Sequence, residues 1–140
     1  NNMDYLIIGI LFFIGNIVWS VILLCFQSYA KKKGEDLATK YLENIGYSII
    51  ERNFIAKQGE IDIIAKDKEE LVFIEVKTRT NALYGQPVDA VNRIKQKHLV
   101  KTVNYYLYLR NLENKFIRLD VIEVYLKDNT YKINHIKQII

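Results

Sequence analysis

The hydrophobic and polar positions separate a long apolar run from a segment of alternating helix-like and strand-like patterns. The run from Tyr5 to Phe26 contains no charged residue. In a helix, about 22 residues extend roughly 33 Å, which is enough to cross the hydrocarbon core of a bilayer. Lys31, Lys32 and Lys33 follow the run, whereas Asp4 precedes it. The pattern predicts a membrane anchor at residues 1–30, with residues 31–140 in the cytoplasm by the positive-inside tendency.

A cleaved signal peptide is the alternative interpretation of the apolar run. Ser28, Tyr29 and Ala30 have the small-x-small form of a cleavage site. However, no basic residue precedes the run, and the run is longer than the apolar region of a signal peptide. These two features favour the anchor.

Beyond residue 33, the apolar periodicity predicts an α/β domain. Apolar residues at helical spacing predict helices, and β-branched runs between turn residues predict strands. The expected order is a helix at 34–45, a strand at 47–53, a connection at 54–58, strands at 61–65 and 71–76, a helix from Pro87 to Arg110, and strands at 116–125 and 131–136. The order is α, β, β, β, α, β, with one further strand.

Charge and cysteine content limit the function classes. The chain has a net charge of +4, but residues 34–140 carry 17 Lys and Arg against 15 Asp and Glu, a net of +2. Net charge therefore does not imply strong binding to nucleic acid, which would need a local basic patch. The single cysteine, Cys25, excludes an intramolecular disulfide and a cysteine-rich zinc site.

The predicted hairpin at 61–76 carries the candidate chemistry. Glu75 and Lys77 lie two residues apart on one strand, so they share a face, and Asp62 on the neighbouring strand joins them if the register allows. Two carboxylates suit Mg2+ or Mn2+, and a lysine can orient or deprotonate a water molecule. The alternative is a solvated face with a cross-strand ion pair. Because the flanking residues are strongly apolar, the carboxylates are expected to be buried and to need a partner or a metal.

Several motifs together resemble one known family. They are GEDLATKYLENIGY at 34–47, ERN at 51–53, GEIDIIA at 59–65, LVFIEVKTR at 71–79, YGQPVDAV at 84–91 and RLDVIEV at 118–124. This set closely resembles the YraN-like family of predicted endonucleases, which looks like a branch of the PD-(D/E)xK restriction-endonuclease-like superfamily. The resemblance runs from about Gly34 to about Val124. It implies a restriction-endonuclease-like αβββαβ core with a mixed central sheet, preceded here by one transmembrane helix.

The resemblance also implies roles for individual residues. Asp62 and Glu75 take the metal positions, Lys77 completes the catalytic set, and Glu35 is an accessory acid. Without the resemblance, Glu35 has another explanation: an acid in the first turn of a helix is favoured by the helix dipole. Two positions depart from the pattern: Ile61 replaces the superfamily's proline, and Leu119 replaces the phenylalanine of the late R-F-D-V motif.

Basic residues around the second predicted helix are candidates for phosphate contact. Arg79 and Lys95 are accessory candidates, and the expected nucleic-acid contacts are Arg79, Arg93, Lys95, Lys97 and Lys101. The alternative is a solvated charged helix face. His98 is predicted to pack against the apolar side of this helix, and its tyrosines are weak candidates for base stacking.

The expected function is a membrane-tethered nuclease that hydrolyses phosphodiester bonds in DNA with Mg2+ or Mn2+. Resolvase-like relatives suggest a homodimer. Two other hypotheses remain: a nucleic-acid-binding module of the same fold with little or no catalysis, and a membrane-tethered interaction protein.

Overall fold

The computed structural model describes residues 2–80 and 93–139, apart from the side chain of Arg93. In chain order it contains α1 (Asn2–Asn44), β1 (Ser48–Ala56), β2 (Gly59–Asp67), β3 (Glu70–Arg79), α2 (Arg93–Leu109), β4 (Ile117–Lys127) and β5 (Thr130–Ile136). The predicted α/β class and the order of elements are confirmed. The start of the predicted helix at Pro87, and the motif at 84–91, lie outside the described residues.

The chain divides into two compact units, residues 1–32 and 33–140. The first unit is the apolar part of α1, which is long and apolar enough to cross a membrane. Two of its polar side chains form hydrogen bonds within the helix: Asn16 donates to the Phe12 carbonyl at 2.8 Å, and Ser20 donates to the Asn16 carbonyl at 2.8 Å. Such local hydrogen bonds lower the cost of placing these groups in hydrocarbon.

Two predicted boundaries differ from the structure. The helices expected at 5–26 and 34–45 belong to one helical element, α1, because the intervening lysines are good helix formers and no proline or strong turn signal separates them. The connection expected at 54–58 is wrong, since Phe54, Ile55 and Ala56 continue β1 and pair with β2. Only Lys57 and Gln58 form the turn between these strands.

The second unit is built on a five-stranded mixed sheet in the order β1-β2-β3-β4-β5. Neighbouring strands are antiparallel, except that β3 and β4 are parallel. Two-residue turns join the antiparallel pairs, and Lys68 and Asp128 adopt positive φ angles of 55° and 52° in these turns. Left-handed residues of this kind match the twist of a tight hairpin. The parallel pair requires a long crossover, which contains α2.

Among the residues that the structure describes, the core consists of two apolar clusters, one for each face of the sheet. The first cluster contains Ala38 and Leu42 of α1 with Val72, Ile74 and Val76 of β3. The second contains Leu99, Val103, Tyr106 and Leu107 of α2 with Leu71 and Phe73 of β3. Side chains alternate between the two faces along β3, so every second residue counted from Leu71 and Phe73 points towards α2. We call this side of the sheet the α2 face.

Gly34 of α1 approaches the end of β3 closely. A Cβ atom at this position would lie 1.9 Å from Oγ1 of Thr78. Because any other side chain would collide there, the absence of a side chain permits this contact between α1 and β3.

Candidate active site

Glu75 and Lys77 lie on the α2 face of β3, and Asp62 lies beside them on the adjacent strand β2. Glu75 and Lys77 continue the alternation of Leu71 and Phe73 on β3. Asp62 is on β2, and its Oδ2 accepts a hydrogen bond from the backbone N–H of Val76 at 2.7 Å. Asp62 and Glu75 are only 3% and 5% exposed. The hairpin therefore holds two buried carboxylates next to each other at the carboxyl end of β3.

Lys95 supplies a positive charge to this pair of acids. It lies in the first turn of α2, and its Nζ contacts Oε1 of Glu75. The Lys95 side chain remains half exposed, whereas the Glu75 side chain is buried. A buried carboxylate is strongly destabilised unless it is paired. The helix α2 thus neutralises Glu75 from the side that faces solvent.

Lys77 is half-buried and lies among charges of both signs. Desolvation lowers the pKa of its ammonium group, and the neighbouring positive charges of Arg79 and Lys95 lower it further, against the opposing effect of Glu75 and Glu123. A lower pKa increases the fraction of neutral amine near neutral pH. Lys77 is therefore better suited to accept a proton than an exposed lysine would be.

Glu123 is a third buried acid beside the site, and the sequence analysis missed it. It lies on β4 directly opposite Lys77 in the parallel register, and it is 1% exposed. Its Oε2 accepts hydrogen bonds from Tyr125 at 3.0 Å and Asn134 at 3.2 Å, and Arg79 lies 3.9 Å from its Oε1. The available signal was the repeated Ile-Glu-Val of β3 and β4, an acid between two β-branched residues in a buried strand.

The other predicted residues are more dispersed. Glu35 is buried in α1, next to Gly34 and therefore near the end of β3. Lys97 and Lys101 are exposed on α2, and the side chain of Arg93 lies outside the described part of the chain. His98 is exposed, so its predicted packing is wrong: the neighbouring Leu99 takes the buried position, about 100° further round the helix.

The candidate metal donors are limited to a pair of carboxylates. Among residues 2–80 and 93–139, no group of three or more His, Cys, Asp or Glu is arranged to hold a metal ion. Mg2+ is commonly bound through one or two carboxylates, with waters and substrate phosphates completing its coordination. The chemistry of Asp62 and Glu75 fits that kind of site and not a closed structural one.

Comparison with known proteins shows the family to which the chain belongs. Residues 34–124 match the family described as "Uncharacterised protein family UPF0102". The chain belongs to UPF0102. A UPF0102 protein of Clostridium botulinum (strain 657 / Type Ba4) is 51% identical over 107 residues, which cover 74% of this chain and 87% of the relative. A UPF0102 protein of Clostridium beijerinckii is 50% identical over 105 residues, which cover 74% of this chain and 85% of that relative.

The UPF0102 match confirms the predicted YraN-like resemblance and its extent from Gly34 to Val124. The matched residues include all three acids of the site, Asp62, Glu75 and Glu123, as well as Lys77. The apolar run from Tyr5 to Phe26 lies outside the match.

The UPF0102 region contains a second charged cluster, centred on Arg118. This side chain is largely buried and donates to Asp67 at 3.0 Å, to Asp120 at 3.0 Å and to the hydroxyl oxygen of Tyr47 at 2.7 Å. It also contacts Glu70. These partners lie on β2, β3, β4 and the segment before β1. Arg118 therefore ties together three strands of the sheet.

Asp120 is the most deeply buried member of this cluster. His135 Nε2 lies 2.9 Å from its Oδ2, and the N–H of Gln138 donates to its Oδ1 at 2.9 Å. Burial opposes ionisation, but the hydrogen bonds from His135, Arg118 and Gln138 outweigh it and hold the pKa of Asp120 below its usual value. Because Asp120 alternates with Leu119 and Val121, it points away from the α2 face, and it braces the sheet.

Proposed function

We propose that this UPF0102 protein is a metal-dependent nuclease that hydrolyses phosphodiester bonds in DNA, tethered to a membrane by the apolar part of α1. The observation that carries the proposal is the grouping of Asp62, Glu75 and Lys77 on the adjacent strands β2 and β3. Both carboxylates are buried, and Lys77 is half-buried beside them. A purely structural ion pair would not require a second carboxylate and a second cation at the same place.

Asp62 and Glu75 are the residues that would hold Mg2+ or Mn2+. The pairing of Glu75 with Lys95 indicates that this buried carboxylate requires a nearby positive charge. When bound, such an ion lowers the pKa of a water molecule and offsets negative charge on the phosphoryl oxygens. Lys95 is half exposed, so it can move aside from Glu75 into solvent.

Lys77 would position the attacking water and accept its proton. Its lowered pKa supports that role, because the amine form is accessible nearer to neutral pH. Glu123 lies directly opposite Lys77 in the β3–β4 register, and its negative charge would orient the Lys77 ammonium group. Arg79 lies close to Glu123 and would offer a positive charge to a neighbouring phosphate.

We propose that the second unit has the fold of the PD-(D/E)xK superfamily. The αβββαβ order and the mixed sheet support this proposal, because both are expected of that superfamily. Within this proposal, the acids on β2 and β3 and the lysine two residues later correspond to the signature that gives the superfamily its name.

The test is single-turnover cleavage of labelled linear and branched DNA by the full-length chain in a non-ionic detergent, with Mg2+ or Mn2+ titrated. We expect metal-dependent cleavage by the wild type. Lys77→Met should reduce the cleavage rate by about 10²- to 10⁴-fold, the scale of general acid–base catalysis. Its affinity for DNA should change much less, because the lysine acts mainly in the transition state.

Lys57→Met, in the β1–β2 turn, is the matched control and should cleave like the wild type. Unchanged cleavage by Lys77→Met would remove the lysine from the mechanism. Absence of metal-dependent cleavage by the wild type on every DNA substrate would refute the nuclease proposal.

A nucleic-acid-binding module is the second candidate function. The observation that favours it is the Lys95–Glu75 pair, which neutralises the buried acid without any metal. In that case the wild type would bind DNA with the same affinity with and without Mn2+, and would not cleave it.

The tether is expected to span the membrane. Leu, Ile, Phe and Val each contribute about −0.3 to −0.6 kcal/mol at a helix centre, and no charge from Tyr5 to Phe26 opposes them. The full-length protein should therefore stay in the membrane pellet after a carbonate wash, and its second unit should resist protease added outside intact cells. Release by carbonate would contradict a spanning helix, and digestion in intact cells would reverse the proposed orientation.

A further inference from the structure

The outward side of α2 carries two lysines followed by two tyrosines. Lys97, Lys101, Tyr105 and Tyr108 are separated by four, four and three residues, which places them on one side of a helix. All four are exposed. The opposite side of α2 packs on the sheet through Leu99, Val103, Tyr106 and Leu107. We call the four exposed residues the α2 stripe.

The two lysines of the α2 stripe are available to an anion. In the part of the chain that the structure describes, neither Lys97 nor Lys101 forms an ion pair. By contrast, Lys95 and Arg110 of the same segment are both paired with glutamates. Two unpaired positive charges one helical turn apart suit consecutive phosphates of a nucleic-acid strand.

The two tyrosines present their rings to solvent. Tyr108 is 67% exposed and Tyr105 is 36% exposed. Tyr106 differs, because it is buried with its ring edge-on to Phe54 and Phe73, at centroid distances of 5.0 and 5.6 Å. Tyr106 is therefore part of the core, whereas Tyr105 and Tyr108 remain accessible to a ligand. Aromatic rings bind unpaired bases by stacking, whereas the base faces of a duplex are hidden between neighbouring pairs.

The α2 stripe starts close in sequence to the candidate active site but on the other side of the helix, because residues two apart on a helix point about 200° apart. Lys95, two residues before Lys97, contacts the site residue Glu75. From Lys97 to Tyr108 the helix rises roughly 16 Å, a length that accommodates several nucleotides. A strand held at the site would pass around the first turn of α2 to reach the two lysines, and would then reach the two tyrosines.

We propose that the α2 stripe binds an unpaired strand of nucleic acid, with phosphates on Lys97 and Lys101 and bases on Tyr105 and Tyr108. This inference rests on the proposed nuclease function and specifies its substrate class: DNA with a single-stranded segment beside the phosphate that is cut. A fully paired duplex would engage the lysines only.

The experiment measures binding apart from cleavage. The full-length chain in non-ionic detergent, without divalent metal, is titrated into fluorescein-labelled dT15 and into a 15-base-pair duplex, and anisotropy is followed. We expect tighter binding of dT15. Tyr105→Ala and Tyr108→Ala should each weaken dT15 binding by about tenfold, the scale of one lost stacking contact, and leave duplex binding unchanged. Lys97→Gln and Lys101→Gln should each reduce the salt slope for dT15 by roughly 0.7.

Tyr131→Ala and Lys127→Gln are the matched controls, because both residues are exposed and lie on the β4–β5 hairpin. They should leave dT15 binding unchanged. Equal losses for dT15 and duplex in the tyrosine variants, or no loss for either, would overturn the stripe proposal. Amine labelling provides an independent measurement: dT15 should protect Lys97 and Lys101. If anionic-lipid nanodiscs protect them and dT15 does not, the surface binds a membrane and the proposal is wrong.

The two proposals fail in different ways. Stripe-dependent dT15 binding without any metal-dependent cleavage would refute the nuclease and keep the strand-binding surface. Cleavage that is indifferent to Tyr105→Ala and Tyr108→Ala, with unchanged dT15 binding, would keep the nuclease and refute the surface.

Discussion

Glu75→Gln is expected to lower single-turnover DNA cleavage on the order of 10³-fold, the scale of removing one preorganised electrostatic group. It should also abolish Mn2+ binding in calorimetry. Glutamine has nearly the same shape but cannot supply an anionic oxygen. The fold should persist, since the half-exposed Lys95 can return to solvent when its partner loses charge. Asp62→Asn should likewise abolish Mn2+ binding and lower cleavage. It should also keep the fold, because an asparagine oxygen can still accept the hydrogen bond from the Val76 N–H.

Glu69→Gln is the control for charge removal on the same hairpin, since the Glu69 side chain is 87% exposed in the β2–β3 turn. It should bind Mn2+ and cleave DNA like the wild type. The double variant Asp62→Asn with Glu75→Gln should lose little more than either single variant, because residues acting as one unit are not additive. Equal Mn2+ binding by the wild type and Glu75→Gln would exclude Glu75 as a ligand.

Arg118→Ala is expected to cost about 3–5 kcal/mol of unfolding free energy, the scale of breaking a buried charge pair. The reason is that Asp120, which is fully buried, loses the guanidinium, while Asp67 and Glu70 lose their shared cation. With a total stability of about 5–15 kcal/mol, such a loss removes a large fraction of it. Urea unfolding followed by circular dichroism measures the change. Arg52→Ala is the control, because its pair with Asp36 is more exposed than the Arg118 cluster and should contribute only about 0–1 kcal/mol.

The same cluster should make the protein sensitive to acid. The pKa of Asp120 is lower in the folded chain than in the unfolded one, where it is about 3.9. Its ionised form therefore stabilises the fold above about pH 4, and this contribution is lost as the pH falls through the folded pKa. In Arg118→Ala, stability should decline less steeply below pH 4 than in the wild type. An identical acid slope in both proteins would show that Arg118 does not set the ionisation of Asp120.

The hairpin of β2 and β3 was predictable because its determinants are local. Two apolar runs and a short polar turn define the strands, and strand alternation alone places Glu75 and Lys77 on one face. The burial of Asp62 and Glu75 also followed from their apolar neighbours. By contrast, the boundary between turn and strand at Phe54 depends on cross-strand pairing, which no local pattern contains.

Glu123 and the Arg118 cluster depend on contacts between distant parts of the chain. The parallel register of β3 and β4, which sets Lys77 opposite Glu123, joins residues separated by the whole α2 crossover. Sequence periodicity identifies each strand but not the offset between them. The pattern of α2 is sufficient by contrast, because helical spacing alone groups Tyr106 with Leu99 and Val103 on the apolar side, as in the packed helix.

The two outer strands of the sheet have a consequence for self-association. An exposed, regular edge strand is a template for another chain, and proteins commonly interrupt it with bulges or charged residues. β1 is irregular between Ile49 and Glu51 and contains Asn53 with a φ of 54°. β5 is short, at seven residues, and places Lys132 among its exposed positions. Both edges therefore discourage the addition of a sixth strand, and this protects the protein from amyloid-like stacking wherever many copies are crowded together.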